Sequence, residues 1–386
     1  MKTNIVFIIG FIVAISSCSD LNEEISYSQL NAELNDQLKV LVDAIPADSV
    51  PRSYPEEDGG YRMTKADWTC GFPAGSFWYM YEMSGDEYWR EIADENTVKL
   101  DGIQFRENTH DLGFMVNNSF GNGYRLTGNE AYKDIVLQAS ESLMTRYNPS
   151  VGAIRSWDHG DWQYPVIIDN MMNLEMLFWT SKETGDPKYR DAAISHADVT
   201  LRDHFRDDGS SYHLVSYDTL TGEPVEKRTV QGYSDESAWG RGQAWGLYGF
   251  TMTYRETGDE KYLETAENIA GFLLNNLPSD LVTYWDFNDP NIPDAPRDAS
   301  AAAITASALY ELSELSDNGE KYLEAADKIV NTLSSSEYRA NDGSNGGFLL
   351  RNSVGNKNRE DEVSVALNYA DYYYLEALKR QSRIKN

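Results

Sequence analysis

A short phrase recurs along the chain and limits what it can fold into. M-S-G-D-E-Y-W carries Gly85, L-T-G-N-E-A-Y carries Gly128, E-T-G-D-P-K-Y carries Gly185 and E-T-G-D-E-K-Y carries Gly258. A worn copy, D-N-G-E-K-Y, has its glycine at 319, and the copies lie 43, 57, 73 and 61 residues apart. Each glycine follows an apolar helical stretch, where a left-handed C-cap is wanted. Each Asp or Asn is then placed to cap the next helix. Y-R-D-A-A-I-S-H-A-D and Y-L-E-T-A-E-N-I-A-G-F-L-L put apolar residues at helical spacing after two of the joints. The phrase therefore reads as a helix–turn–helix joint that recurs about every 60 residues.

Alternating β-branched runs joined by tight turns are scarce, and residues 219–226 hold one short candidate strand. Five joints, and a sixth implied by the length, predict an all-α fold: an (α/α)6 toroid of six helical hairpins, with six helices inside and six outside. An open solenoid is the alternative. Small residues in D-A-S-A-A-A-I-T-A-S-A-L, residues 298–309, let an inner helix pack closely on its neighbours. No internal linker stands out.

The first residues read as a targeting segment. Lys2 precedes an apolar run from Ile5 to Ile15, too short to span a bilayer and of the length of a signal-peptide core. The run ends in I-S-S-C, which resembles a bacterial lipobox, in which the Cys becomes the lipidated first residue. The expected organisation is a signal peptide over 1–17, lipidation at Cys18, a polar tether over 18–36 and one folded domain over 37–386. A soluble secreted protein cut nearby is the alternative. Cys70 is the other cysteine, so an acylated Cys18 leaves no disulfide pair. The formal charge is −29 with no basic run, which argues against nucleic acid or an anionic membrane surface as a partner. Membrane contact is expected through the lipid anchor alone, in a bacterial cell envelope, on the periplasmic side or at the surface.

There is no H-E-x-x-H, no C-x-x-C and no P-loop, and five His with two Cys argue against a structural zinc site. Neither metal nor cofactor is expected. Two carboxylates draw attention. Asp169 stands in Y-P-V-I-I-D-N-M-M-N-L-E-M-L-F-W, read as an almost wholly apolar helix with Pro165 in its first turn. Desolvation raises the pKa of such a group and suits it to general acid work, while the helix N-terminus pulls the other way. Met172 and Asn173 share its helical face and suggest a lined cavity; a buried Asp satisfied by backbone donors is the alternative. Asp111, in N-T-H-D-L-G-F-M, follows the plausible N-cap Thr109 and reads equally as a dipole partner. His110 beside it reads as paired with an outer-helix acid.

The densest stretch is Y-H-L-V-S-Y-D at 212–218 with T-V-Q-G-Y-S-D-E-S-A-W-G-R-G-Q-A-W-G-L-Y-G at 229–249. Tryptophan faces pack on the C–H faces of sugars, and an arginine fork matches a carboxylate through two parallel hydrogen bonds. Glycines let ligand or backbone come close. The combination reads as recognition of an acidic sugar. Arg241 paired with Asp235 or Glu236, and tryptophans in the core, is the blander reading.

H-D-L-G-F, I-D-N-M-M-N-L and Q-G-Y-S-D-E-S-A-W-G-R-G-Q-A-W-G-L-Y-G, in this order and spacing, resemble glycoside hydrolase family 88, the unsaturated glucuronyl hydrolases. The early W-T-C-G-F-P-A-G-S-F-W-Y-M-Y-E and the late A-D-Y-Y-Y-L-E-A-L are similar to family segments too, so the resemblance runs from Trp68 to Leu378. It implies an (α/α)6 toroid and an unsaturated uronate oligosaccharide, left by a polysaccharide lyase, as substrate. It implies hydration of the C4=C5 vinyl ether rather than attack at the anomeric carbon. By motif, Asp169 is implied as the general acid/base and Asp111 as the second carboxylate. His213, Gln231, Trp239, Arg241 and Trp245 are implied as substrate contacts, with Trp157, Trp68 and Thr229 as further candidates. The chain departs from the family where a His and a Pro are expected before the last helix, since L-L-R-N-S-V-G-N-K-N-R-E-D-E has neither, and F-P-A-G replaces W-P-G. An unsaturated rhamnogalacturonyl hydrolase acting on pectin fragments is the rival enzyme. A non-catalytic glycan-binding lipoprotein is the rival of another class.

Overall fold

The computed structural model describes residues 27–56 and 60–385. The expected signal peptide, Cys18 and the start of the expected tether lie outside the described residues. Helix α1 spans Tyr27–Ala44, so the packed domain begins well before residue 37. Leu34 is fully buried there, and Glu33 pairs with Arg339 at 2.7 Å. The segment expected as a tether is therefore, from residue 27, part of the fold.

Five hairpins follow. They are α2 (Gly71–Ser84) with α3 (Glu87–Val98), α4 (Asn122–Thr127) with α5 (Glu130–Met144), and α6 (Leu174–Thr184) with α7 (Pro187–His204). The last two are α8 (Gly240–Thr257) with α9 (Glu260–Asn276), and α10 (Ala299–Leu315) with α11 (Gly319–Leu333). Helix α12 (Asn368–Lys385) ends the chain. A π-helical segment, Gly113–Gly121, leads into α4, and a 3-10 turn, Ile168–Asn173, leads into α6.

The even-numbered helices form the inner ring. α2 packs on the π segment and α4, the π segment on α6, α6 on α8, α8 on α10 and α10 on α12; α12 packs on α2, which closes the ring and rules out the open solenoid. Tyr79 on α2 donates to Glu376 on α12 at 2.8 Å across that seam. Inner helices α8 and α10 are buried nearly all round, from Gly240 to Thr253 and from Ala299 to Leu312. The alanines and serines of α10 permit the close approach to α8 and α12.

Four joints behave as read. Gly85, Gly128, Gly185 and Gly258 all have φ near +70° and return their N–H to the carbonyl four residues back. The next Asp or Asn accepts the N–H two residues on, as Asp259 does from Lys261. The worn fifth copy differs: Gly319 is the first residue of α11 and caps nothing. The aromatic residue of the phrase has its own task. Tyr132 on α5 donates to Asp94 on α3, Tyr189 on α7 to Glu141 on α5, and Tyr262 on α9 to Asp198 on α7 at 2.7 Å. In the first copy Trp89 on α3 donates to Asn35 on α1 at 3.0 Å. Outer helices α3, α5, α7 and α9 are thus each stitched to the one before, and α1 joins that outer ring.

Strands are more numerous than the sequence indicates. β1 (Val50–Tyr54), β2 (Arg62–Thr64), β8 (Ser353–Asn356) and β9 (Asp361–Leu367) form an antiparallel sheet in the order β2-β1-β9-β8. β5 (Pro165–Ile167), β6 (Leu214–Tyr217) and β7 (Pro224–Arg228) form a second, and β3 (Tyr147–Asn148) with β4 (Ala153–Ile154) a third. The candidate strand at 219–226 is mostly the turn between β6 and β7. All these strands lie in the long connections that lead into inner helices, whereas the short joints lead out of them. The two ends of the toroid therefore differ: one is trimmed, the other carries the loops.

The stitches predict a local stability effect. Tyr262→Phe removes the bond to Asp198 and should lower stability by about 1 kcal/mol in chemical denaturation. Turnover should be unchanged, because Tyr262 lies in the first turn of α9, at the end of the toroid away from the loops.

Candidate active site

The loop end of the ring is where the inner helices begin, the π segment supplying the start for α4, so six helical N-termini converge there. Each acts as roughly half a positive charge. Asp111 precedes the π segment, and Asp169 lies in the 3-10 turn before α6. Pro165 is in strand β5 rather than in a helical turn, since β5 pairs with β6 and the Ile168 N–H is taken by the His213 carbonyl at 3.0 Å. Asp169 is still near a helix N-terminus, but it is delivered by a strand.

The two carboxylate segments are docked on each other. Asn173 accepts the Phe114 N–H at 3.1 Å, and a Cβ on Gly113 would lie 2.7 Å from the Asn173 Cα. Only glycine at 113 permits this approach. Asn173 is therefore engaged in the fold, and Met172 faces the opposite end of the ring, so neither lines a cavity beside Asp169. On the other flank, Gly249 of α8 leaves room for Met171, which holds the same turn against α8.

Asp169 is buried, and burial pushes its carboxyl up to about 7. The Arg241 guanidinium pulls it down, Asp111 pushes it up, and the Asp169 backbone N–H and the Trp245 indole pull it down. Burial wins over the helix terminus. Asp169 Oδ2 has no hydrogen-bond partner among the described residues, and His213 Nε2 stands 3.9 Å from it. The Val230 N–H donates to His213 Nδ1 at 3.0 Å, and burial pushes this imidazole down to about 3. The ring is neutral at pH 7, and because Nδ1 accepts, its proton sits on Nε2, facing Asp169. Asp371 shows the contrast. Burial also raises it to about 7, but both its oxygens accept backbone N–H groups, of Leu349 and Leu350, at 2.8 and 2.9 Å. Asp371 is the structural carboxylate; Asp169 keeps an open oxygen.

Asp111 accepts the Thr109 hydroxyl at 2.7 Å, and the Thr109 oxygen accepts the Asp111 N–H in a capping turn. His110 Nε2 lies 3.2 Å from Asp111 Oδ1, so His110 pairs with its neighbour and not with an outer-helix acid.

Around this core the expected contacts sort themselves. Trp239 stacks edge-on to His213 at 5.0 Å, and the Arg241 guanidinium lies 4.5 Å from the Trp239 ring centre. Gln231 sits beside His213 and favours its protonated form. Arg241 does not pair with Asp235 or Glu236. Its Nη1 donates to Asp298 at 3.2 Å and to the Val354 carbonyl, and its Nη2 to the Gly355 carbonyl at 2.9 Å. Only its Nε lacks a partner, so the expected free fork is largely occupied. Trp245 is fully buried between Phe114 and Tyr373 and offers no stacking face; it is the wall behind Asp169. Of the expected tryptophans, two are half-buried: Trp157, 5.9 Å from His213, and Trp68, which packs on Phe114 and Tyr369. Thr229 is spent in a turn, its oxygen accepting the Gly232 N–H at 2.7 Å. Gln243 holds the loop before β6 through Ser211 and Gly209 and faces away from the site.

Sequence reasoning missed Asp298. This fully buried carboxylate caps α10 through Ser300 and Ala301, accepts the Val354 N–H and anchors Arg241. The signal was present as an Asp before a Ser-Ala helix start, but the partner lies 57 residues away. The stretch before the last helix, read as a loop, is the β8–β9 hairpin. Asn358 at its tip donates to the Val230 and Gly232 carbonyls and so fixes the rim beside His213.

Residues 47–382 match Glycosyl Hydrolase Family 88, and the chain belongs to that family. It is 44% identical to an unsaturated glucuronyl hydrolase of Formosa agariphila, over 94% of this chain and 92% of that one. It is 38% identical to an unsaturated chondroitin disaccharide hydrolase of Streptococcus pneumoniae, over 82% of each chain. The crystal structure of an unsaturated glucuronyl hydrolase specific for heparin superposes with a TM-score of 0.91 at 49% identity, covering 93% of this chain and 97% of that one.

Burying Asp169 has a cost that can be measured. A carboxyl raised from an unfolded value of 3.8 to about 7 favours folding fully below pH 3.8 and loses that advantage as pH rises through 7. Asp169→Asn does not titrate. The variant should gain stability over the native chain between pH 4 and 8, on the order of 4 kcal/mol at the plateau. Denaturation curves at pH 4, 6 and 8 check this; a gap independent of pH would contradict the burial argument.

Proposed function

We propose that the chain removes the unsaturated glucuronate from the non-reducing end of lyase-generated, glycosaminoglycan-derived oligosaccharides. The observation that carries this reading is Asp169: a buried carboxyl at about 7, with one open oxygen facing a neutral His213 N–H. Such a group holds a proton at neutral pH and can take one back. In the 4,5-unsaturated ring, O5 feeds electrons into C4=C5. Asp169 gives its proton to C4, and positive charge develops at C5, shared with O5. Water adds to C5 and returns a proton to Asp169. The resulting hemiketal opens, and the C1 hemiacetal releases the next sugar as an alcohol. One water is consumed and the acid is regenerated.

The remaining residues are proposed in supporting roles. Asp111 raises the Asp169 pKa and meets the substrate; His213 and Gln231 offer neutral donors; Trp157 and Trp68 supply the exposed aromatic faces. Trp239 and Trp245 act as walls, and Thr229 shapes the rim. Arg241 contributes charge and its free Nε. The chain's charge of −29 should repel a uronate at long range. Salt screens that repulsion beyond about 10 Å at 0.1 M. Within that range the substrate meets Arg241 and the converging helix N-termini, which favour an anion. The greater similarity to the heparin-specific enzyme favours a heparin-type leaving sugar over a chondroitin-type one.

Two measurements test this. Ultraviolet absorbance of the C4=C5 group should fall when the chain meets unsaturated disaccharides, fastest with those from heparin. Asp169→Asn should slow the loss by about 10³-fold, within the range of general acid–base catalysis. kcat/KM of the native chain should fall tenfold per pH unit above about 7, where Asp169 loses its proton. Turnover persisting in Asp169→Asn would defeat the mechanism. Retained binding with no turnover by the native chain would favour a glycan-binding protein.

We also propose lipidation at Cys18 and an envelope location, supported by the I-S-S-C sequence after an apolar run. Among the described residues no helix is long and apolar enough to cross a membrane. Cys18→Ala should move the protein from the membrane to the soluble fraction of bacteria expressing the full chain.

A further inference from the structure

The end of the toroid opposite the candidate active site holds a cavity of about 810 Å³, within the range of small-ligand sites. The C-terminal parts of all six inner helices line it. No residue assigned to the candidate active site lies in its wall. An aromatic layer separates the two ends: Phe114, Trp245 and Tyr373 pack at 5.1 and 5.4 Å, with Asp169 on one side and the cavity on the other.

The chemistry of the cavity is unlike that of the active site. Basic residues complement the negative helix ends, among them Lys182, Arg255 and Arg383 in their last turns. Each of the six cations lining the cavity is already in an ion pair. Arg255 and Arg380 share Glu311 at 2.5 and 2.6 Å, and Lys182 pairs with Glu256 at 2.5 Å. A charged ligand would have to break such a pair. An uncharged one need not, and Glu175 and Glu314, which each serve one cation, keep lone pairs for hydroxyl groups. The wall also offers an aromatic face: Trp179 and Tyr124 are half-buried and meet edge-on at 5.7 Å. Asn118 adds a buried amide nitrogen with no acceptor, held by the Tyr372 hydroxyl on its other atom.

From this juxtaposition of paired charges, an aromatic face and an idle donor, we propose that the far mouth of the toroid is a second saccharide site, for an uncharged sugar of one or two rings. It is independent of the candidate catalytic site and goes beyond the activity proposed above. Ring C–H faces lie on Trp179, and hydroxyls bridge Asn118 and the paired carboxylates.

Calorimetric titration of the full chain with glucose, galactose, N-acetylglucosamine and cellobiose tests the proposal, with glucuronate as the charged control. At least one uncharged sugar should bind in the millimolar range. Trp179→Ala and Asn118→Ala should each weaken it about tenfold while hydrolysis of an unsaturated disaccharide is unchanged. Two variants are used so that one that fails to fold does not end the test. No binding by any of the four sugars at millimolar concentrations would overturn the proposal. So would binding that survives both substitutions, or that an unsaturated disaccharide bound to Asp169→Asn displaces. Glucuronate binding as tightly as glucose would overturn the assignment to uncharged sugars.

Discussion

Closing the ring is the constraint on which everything else depends. Twelve helices that merely follow one another give a solenoid; a toroid requires the last to find the first. Here α12 packs on α2, β9 pairs with β1 at Ser53 and Leu367, and Tyr79 bonds to Glu376 at the seam. Much of the outer ring is held by a cheaper device, an aromatic residue in the first turn of α3, α5, α7 and α9 that reaches back to a polar partner on the helix before. The repeated phrase thus encodes a turn, a cap and a stitch in seven residues. Once the ring closes, the starts of six inner helices must meet at one end and their ends at the other. The location of the site follows from topology before any particular side chain is considered.

At that meeting place two opposing effects act on one carboxyl. Converging helix N-termini and Arg241 favour the ionised form of Asp169, while exclusion of water favours the neutral one. Burial outweighs the charges and leaves the carboxyl near 7, which suits a group that must both give and accept a proton. The histidine beside it is held neutral by the same burial, with its proton placed by a single backbone N–H from Val230. Asp371 shows that a raised pKa alone does not mark chemistry: its oxygens are saturated by backbone donors, and it pins residues 349 and 350 to α12.

The architecture was legible because its signal is local. Four joints fit a Gly-Asp phrase read within seven residues, and helix spacing did the rest. The strands were not legible, because each is two to seven residues long and pairs with partners far along the chain, such as β1 with β9 across more than 300 residues. Residue types and motifs singled out Asp169, Asp111 and His213, and the structure brings these three together at the loop end. They misjudged the tryptophans and the arginine. Which face of Trp245 is open, and whether Arg241 is already bonded, depend on Phe114, Tyr373, Asp298 and Gly355, none of which is near them in sequence. The same distance hid Asp298.

The unequal connections have a consequence for how such a protein can change. Leaving an inner helix, the chain has almost no freedom, since one glycine and one cap fix the turn and an insertion there would break the stitch to the neighbouring helix. Entering an inner helix, it crosses long β-containing segments whose lengths the ring does not dictate. Variation is therefore channelled to one rim. New sugars can be accommodated by rewriting the β8–β9 hairpin or the loop around Gln231 while the helical frame stays as it is, so a lineage can diversify its diet without having to solve the folding problem again.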